Sequence, residues 1–248
     1  MSTVNAANSD TLLIMMLMLI HMIALGVGLM IFAWIVYVQR RAARRDFSRS
    51  SFMEDFEPSS SFSPPRPVCW LAVRSVSPES VKDALGLNRA APCSWTEGLA
   101  GGHEFFISPR VHGWVIVTGL ALPHPSEDVD ECFIFLSTLS RKLGHVQFFY
   151  ADRFSRHHAW ARLDDGCVTR AYAWAGMTVW NQGIETLPEI EIGVKTFGYG
   201  DRTATLVDVE TSFENVPRLA ARWSLDPAEV KLNSIRQSIG IAGESAWI

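Results

Sequence analysis

The sequence predicts an α+β protein with a single N-terminal transmembrane helix and a two-layer sandwich behind it, in which helices cover one face of a mainly antiparallel sheet. Two observations predict this architecture. The first is a long, nearly uninterrupted apolar run close to the N-terminus. The second is a series of short apolar segments of strand character, interrupted by two segments with helical periodicity and separated by turn residues.

Length, charge and cysteine content limit the classes of function. The part of the 248-residue chain before residue 68 lacks the pattern of a globular core, so one folded domain is expected. The net charge of −4 and the pI near 6.0 argue against a protein that binds nucleic-acid phosphates, since that needs a basic face. The four cysteines form no CxxC pair, so neither a zinc knuckle nor a redox dithiol is indicated.

The apolar run at residues 11–38 is broken only by His21. At about 1.5 Å per residue it exceeds the roughly 30 Å hydrocarbon thickness of a bilayer. Residues 1–10 carry a single charge, Asp10, whereas a cleaved signal peptide has positive charge before a shorter apolar stretch. We therefore expect a permanent transmembrane helix. His21 is expected to be a neutral imidazole with a backbone partner or in a homo-oligomer seam, and contact with another helix is the alternative.

Positive charge is concentrated directly after the apolar run. By the positive-inside rule, this asymmetry places the C-terminal side in the cytoplasm. In a bacterium, residues 1–10 would then lie in the periplasm and the helix in the inner membrane. Aromatic residues near the end of the run are expected at the membrane interface. The predicted membrane-anchor residues are Trp34, Tyr37, Arg40, Arg41, Arg44 and Arg45.

Residues 39–67 continue from this basic stop into a stretch rich in serine and proline. Such a composition is typical of a disordered linker. Phenylalanines recur in it, and they are interpreted as incidental residues of a solvated tether, with docking on a partner or on the membrane as the alternative.

Residues 68–248 are predicted to form a cytoplasmic α+β domain with a C-terminal helical cap. Its element order is β-α-β-β-α-β-β-β, with Ser77 capping the first helix, Gly86 closing it, and a hairpin turn at Asp165-Gly166. The predicted strands are 68–76, 103–110, 113–120, 146–153, 157–166 and 167–176, and the predicted helices are 77–87 and 126–144. Beyond residue 176 the pattern indicates a short helix at 188–197 and two short helices around Asp226-Pro227.

Histidines are the first candidates for a chemical site. The polar stretch 152–158 ends in two adjacent histidines, and His103, His112 and His145 lie elsewhere in the sheet region. Adjacent strand residues point to opposite faces, and neither an HxxxH nor an HExxH spacing is present. No serine lies in a GxSxG setting and no cysteine is next to a histidine in sequence. The sequence therefore predicts no catalytic residue, no metal ligand and no cofactor.

Aromatic and amide side chains cluster at the end of the predicted sheet. The predicted partner-binding residues are Tyr172, Trp174, Trp180, Asn181 and Gln182. Large rings beside directed hydrogen-bonding groups are typical of protein interfaces. Core packing of the rings and turn chemistry of the amides are the competing interpretation.

The segment 218–230, RLAARWSLDPAEV, has the outline of a helix-turn-helix. It carries few bases in an acidic chain, so a helical cap over the sheet is preferred and nucleic-acid binding is not expected.

Three strings resemble a group of uncharacterised bacterial proteins that have an ISPxxxGWxxVxG hairpin. They are CSWTEGLAGGHEFFISPRVHGWVIVTG (93–119), LSRKLGHVQFFYADR (139–153) and HHAWARLDDGCVTRAYAWAG (157–176), and the range that contains them, 93–176, is about a third of the chain. The resemblance implies a bacterial origin and assigns neither an activity nor a site residue.

Three functions are compatible with these patterns. The leading hypothesis is a membrane-tethered protein-interaction module, an accessory, regulatory or immunity-like subunit that binds a protein partner. The second is a membrane-anchored hydrolase dependent on histidine or a metal, and the third is a membrane-tethered nucleic-acid binder. We expect the first because no coherent catalytic constellation is visible in the sequence.

Overall fold

A computed structural model of the chain describes residues 15–32, 34–35, 66–74, 77–230 and 239–245. These residues belong to two compact units, Met1–Pro58 and Ser59–Ile248. The predicted periplasmic segment 1–10, five of the six predicted anchor residues and nearly all of the predicted linker lie outside the described residues; the five are Tyr37, Arg40, Arg41, Arg44 and Arg45.

The first unit contains helix α1 (Met15–Phe32), within the predicted span 11–38. Its mean hydropathy of 2.4 and its 18 residues make it long and apolar enough to cross a membrane. The side chain of Trp34 is exposed, as most of the apolar side chains of α1 are. His21 Nδ1 donates a hydrogen bond to the carbonyl oxygen of Leu17, 2.8 Å away. The imidazole therefore has a partner in its own helix, as expected for a histidine in an apolar segment.

In its described residues, the second unit is built on one nine-stranded sheet in which all neighbouring strands are antiparallel. The strands are β1 (Cys69–Val73), β2 (Leu87–Cys93), β3 (Phe105–Ile107), β4 (Val115–Thr118), β5 (His145–Ala151), β6 (His158–Asp164), β7 (Cys167–Trp174), β8 (Thr178–Gln182) and β9 (Gly240–Ser245). Their spatial order is β2-β9-β3-β4-β1-β5-β6-β7-β8. The predicted antiparallel sheet is confirmed.

Five helices accompany the sheet in the described part of this unit. They are α2 (Pro78–Leu85), α3 (Trp95–Leu99), α4 (Val129–Leu143), α5 (Leu187–Ile192) and α6 (Leu206–Trp223), followed by a 3-10 turn (Pro227–Glu229). The predicted caps of α2 are present: the Ser77 side chain accepts a hydrogen bond from Ser80 N, and Gly86 ends the helix with φ 62°. Glycine suits that position because a left-handed backbone conformation is costly for other residues.

The helices lie on both faces of the sheet, so the prediction of helices on one face is wrong. On β1, Leu71 and Val73 pack with residues of α2 and α4, whereas Trp70 and Ala72 pack with residues of α3 and α6. Strands buried on both faces have continuous apolar runs rather than alternation. In β4, VIVT, all four residues are buried.

Several elements were not predicted from sequence. These are β2, α3, β8 and β9, and α6 begins well before the predicted helix, with Thr205 and Asp208 forming a capping box. Strand β9 lies between β2 and β3 in the sheet, although both of these strands are far from it along the chain. Helix α6 packs against β5 and β6. The predicted helix after Asp226-Pro227 falls largely in residues 231–238, outside the described part of the chain.

An ion pair joins the start of the folded domain to the 3-10 turn that follows α6. Arg66 Nη2 lies 2.8 Å from Asp226 Oδ2, and the Asp226 side chain is 2% exposed. The same carboxylate accepts a hydrogen bond from Ala228 N and so caps the 3-10 turn. The first described residue of the domain is thereby held against its C-terminal part.

Candidate functional site

Polar side chains lie at the ends of adjacent strands on one face of the sheet. Arg74 directly follows β1, and its N–H donates to the carbonyl oxygen of His145. His145 is opposite Asp164 in the register of β5 and β6, and Gln147 is opposite Arg162. Because strand side chains alternate with period two, His145 and Gln147 point to the same face, as do Arg162 and Asp164.

These side chains line a pocket of about 240 Å³. Its lining residues are Arg74, Trp114, His145, Gln147, Arg162, Asp164 and Trp223. Trp223 is the last residue of α6, and the ring of Trp114 lies 5.6 Å from the ring of His145. The pocket therefore combines charged groups, one buried amide and two indole rings.

A chain of hydrogen bonds sets the orientation of the polar groups. The carbonyl oxygen of Trp223 can only accept, so the atom 3.3 Å from it is the donor Gln147 Nε2. The same Nε2 lies 2.9 Å from His145 Nε2, which must then accept. In this arrangement Nδ1 carries a ring proton and donates it to Asp164 Oδ1. Trp223 thus determines the tautomer of His145 through the amide.

Two polar atoms of the pocket have no hydrogen-bond partner among the described residues. They are Gln147 Oε1 and Arg162 Nε. Gln147 is 1% exposed, and a buried acceptor left unsatisfied costs about 1–3 kcal/mol. Arg162 Nε lies 4.0 Å from Asp164 Oδ2, close enough for an ion pair but not for a hydrogen bond. Both residues line the pocket, so the lining includes one side chain with an unpartnered acceptor and one with an unpartnered donor.

The chemistry of the pocket favours binding over general-base catalysis. His145 and Asp164 have the arrangement that orients a catalytic imidazole, but the nitrogen that would abstract a proton accepts from Gln147 instead. Arg74 and Arg162 outnumber Asp164, the one carboxylate of the lining. The pocket thus has a positive excess and suits an anionic group.

A second network, centred on a fully buried ion pair, holds the Trp223 side of the pocket. Arg170 Nε lies 2.8 Å from Glu189 Oε1, and their side chains are 2% and 0% exposed. Glu189 also accepts from Trp160 Nε1 and from Thr186 N and Oγ1. Thr186 Oγ1 in turn accepts from Trp223 Nε1, 3.2 Å away. The indole of Trp223 is therefore held by the network that surrounds the buried ion pair.

The predicted partner-binding residues are not brought together on one surface. Tyr172 and Trp174 pack in the core on the α6 face, whereas Trp180 packs on the α4 face. Asn181 Oδ1 accepts from the buried guanidinium described above. Gln182 alone is exposed. Partner binding at this edge of the sheet stays a prediction. The three aromatic rings are buried in the core and do not contribute an exposed contact area there.

The histidines are also dispersed. His145 belongs to the pocket, and His158 is buried beside Trp160, where burial lowers the pKa of its imidazole to about 4. Within the described ranges, no group of three or more His, Cys, Asp or Glu side chains is arranged to hold a metal ion.

The fold creates one cysteine–histidine contact that the sequence does not show. Cys93 Sγ lies 3.6 Å from His103 Nε2, and helix α3 lies between the two residues in the chain. Burial raises the pKa of the Cys93 thiol, and the nearby charge of Glu97 raises it further. The thiol form is favoured, so the contact does not support a nucleophile.

The pocket was missed because its residues are far apart in the chain. The available signal was a polar residue at an inward position of an otherwise apolar strand, such as Gln147 in VQFFY and Arg162 in AWARL. Asp164 is the last residue of β6, next to the predicted turn at Asp165-Gly166.

Comparison of the chain with protein-family models, with curated proteins and with solved structures found no match.

Proposed function

We propose that the chain is a membrane-tethered binding protein whose folded domain holds a segment of a protein partner in the polar pocket. It acts as an accessory, regulatory or immunity-like subunit at the bacterial inner membrane, with the domain in the cytoplasm. The observation that carries the proposal is the buried, unsatisfied acceptor Gln147 Oε1, on a side chain that lines the same pocket as Arg74 and Arg162.

The tether is supported by the apolar character of α1 and by the arginines that follow it in sequence. A helix of this composition partitions into lipid, and the guanidinium groups resist translocation. Two measurements test this part. The protein should remain in the membrane fraction in alkaline carbonate, and a reporter fused after Ile248 should be active in the cytoplasm. A periplasmic reporter or carbonate extraction would contradict it.

The proposed binding of a protein partner in the pocket is tested by affinity capture from membranes solubilised in detergent. Arg162→Ala removes one cation of the pocket without cutting the hydrogen-bond chain from Trp223 to Asp164. Arg89→Ala is the matched control, because the Arg89 side chain is 82% exposed and pairs with Glu244 at the far side of the sheet. Proteins retained by wild type and by Arg89→Ala but lost from Arg162→Ala support the proposal. An identical set for all three chains contradicts it.

A membrane-anchored hydrolase is the second candidate, since His145 and Asp164 are in direct contact. This function requires Nε2 of His145 to be released from Gln147 during turnover. Hydrolysis of simple ester, amide or phosphate substrates that is abolished by His145→Ala would favour the hydrolase. The binding proposal expects no His145-dependent turnover.

A further inference from the structure

The charges of the pocket favour a ligand that has a negatively charged group. Arg74 is exposed at the end of β1, Arg162 is partly exposed, and Asp164 is in contact with His145. A carboxylate matches the planar fork of a guanidinium with two parallel hydrogen bonds. A ligand anion is therefore expected on the side of the arginines.

The buried amide selects a second ligand group. Gln147 Nε2 is used by Trp223 and His145, whereas Oε1 is a buried acceptor without a partner among the described residues, on a side chain that lines the pocket. An N–H or O–H donor of a ligand that reaches this atom would satisfy it. A fully ionised phosphate or sulfate has oxygen acceptors on every side and leaves this atom unsatisfied. The ligand thus needs a donor close to its anionic group.

The volume of the pocket limits the size of the ligand. About 240 Å³ lies below the roughly 300–1,000 Å³ typical of pockets for larger small molecules. It holds about one residue, and the indoles of Trp114 and Trp223 offer apolar contact to that residue's side chain. A C-terminal residue has a carboxylate and its own amide N–H on the same α-carbon, whereas an internal Asp or Glu has them further apart.

We propose that the pocket recognises the C-terminal residue of a polypeptide, with its carboxylate on Arg74 and Arg162 and its amide N–H on Gln147 Oε1. This inference rests on the proposed function and names the part of the partner that the pocket takes. Capture of a free chain terminus by a few directed groups is a recurring mode of peptide recognition.

The test uses the full-length chain, solubilised in detergent and immobilised. The probes are two pools of fluorescein-labelled random hexapeptides, identical except that one ends in a free carboxylate and the other in a carboxamide. We expect retention of the acid pool to exceed that of the amide pool by about tenfold or more, the effect of one or more charge-assisted hydrogen bonds. Equal retention of both pools overturns the inference.

Pocket variants show where the acid pool binds. Arg74→Gln and Arg162→Ala should lower its retention to the level of the amide pool, whereas Arg89→Ala should leave it unchanged. Arg74 lies beyond β1 and is exposed, so Arg74→Gln is expected to fold even if another variant does not. Acid-selective retention that survives both pocket variants assigns the peptide to another surface and overturns the inference.

Competition distinguishes a chain terminus from a free amino acid. A mixture of N-acetyl amino acids keeps the carboxylate and amide N–H, and it should displace the acid pool. Free amino acids that displace it at equal or lower concentration would overturn the assignment to a polypeptide. If affinity capture depends on Arg162 but the acid and amide pools bind equally, recognition of a C-terminal residue is refuted while the proposed function stands. If affinity capture does not depend on Arg162, the proposed function is refuted as well.

Discussion

The buried pair Arg170–Glu189 provides the sharpest stability test of this structure. Glu189 accepts hydrogen bonds from Trp160, Arg170 and Thr186, and neither charged side chain is more than 2% exposed. Glu189→Ala removes the carboxylate and leaves the guanidinium buried without a counter-charge. We expect a severe loss of stability, because a buried cation cannot recover its hydration.

The magnitude follows from burial. Removing one partner of a buried ion pair costs about 3–5 kcal/mol of unfolding free energy. The matched control is Glu191→Ala, which breaks the surface pair with Arg222, where the side chains are 57% and 44% exposed. Such a pair contributes about 0–1 kcal/mol, so the two variants should differ by roughly 3 kcal/mol. The double variant Arg170→Met, Glu189→Leu removes both charges and should lose less stability than Glu189→Ala.

The assay is denaturant unfolding of the detergent-solubilised full-length chain, followed by tryptophan fluorescence. Trp160 is a suitable reporter because its indole N–H donates to Glu189 at 2.7 Å. The dependence of the unfolding free energy on denaturant concentration should be compared between variants first. A changed slope indicates a change in the unfolded or native ensemble, and the free energies are then not directly comparable. A Glu189→Ala variant within about 1 kcal/mol of Glu191→Ala would refute the assignment of an uncompensated buried charge.

Three further predictions concern other parts of the domain. Arg66→Ala leaves the buried carboxylate of Asp226 without its cation and should lower the unfolding free energy by about 1–3 kcal/mol, measured by the same titration. The folded pKa of His158 is about 4, below the unfolded value of 6.5, so the unfolded state binds a proton first as pH falls. Stability should therefore drop by roughly 3 kcal/mol between pH 6.5 and 4 in wild type, and His158→Phe should have a flatter profile over that range. Alkylation with iodoacetamide at pH 7.5 should modify exposed Cys167 first, while Cys93 reacts slowly; rapid modification of Cys93 in mass spectrometry would contradict its raised pKa.

Much of the local structure was predictable because its signals are local. Ser77 and Gly86 delimit α2, and the turn Asp165-Gly166 joins β6 to β7, since cap and turn preferences depend on backbone geometry over a few residues. The 3.6-residue periodicity of α4 likewise identified a helix with one buried face. Strands β8 and β9 lacked such signals, because their short sequences contain glycine, amide and hydroxyl residues typical of turns.

The candidate site was much less predictable than the elements that carry it. Charged residues in strands are normally solvated, so nothing in CVTRAYAW marks Arg170 as fully buried, and its partner Glu189 lies in a helix not adjacent to β7 in sequence. The aromatic residues near Asn181 were instead interpreted as an exposed surface. Burial of large rings is common, and only the packing of helices on the sheet shows which rings remain exposed.

The apolar N-terminal segment, a capped helix, a second periodic helix and a set of antiparallel strands are all predictable from the amino-acid sequence, since each depends on energies within one element or across one turn. The placement of helices on both faces, the position of β9 between β2 and β3, and the shared pocket of Arg74 and Gln147 become visible only in the folded domain. These features depend on strand register and on burial against distant segments, which are free-energy differences of the whole packed domain.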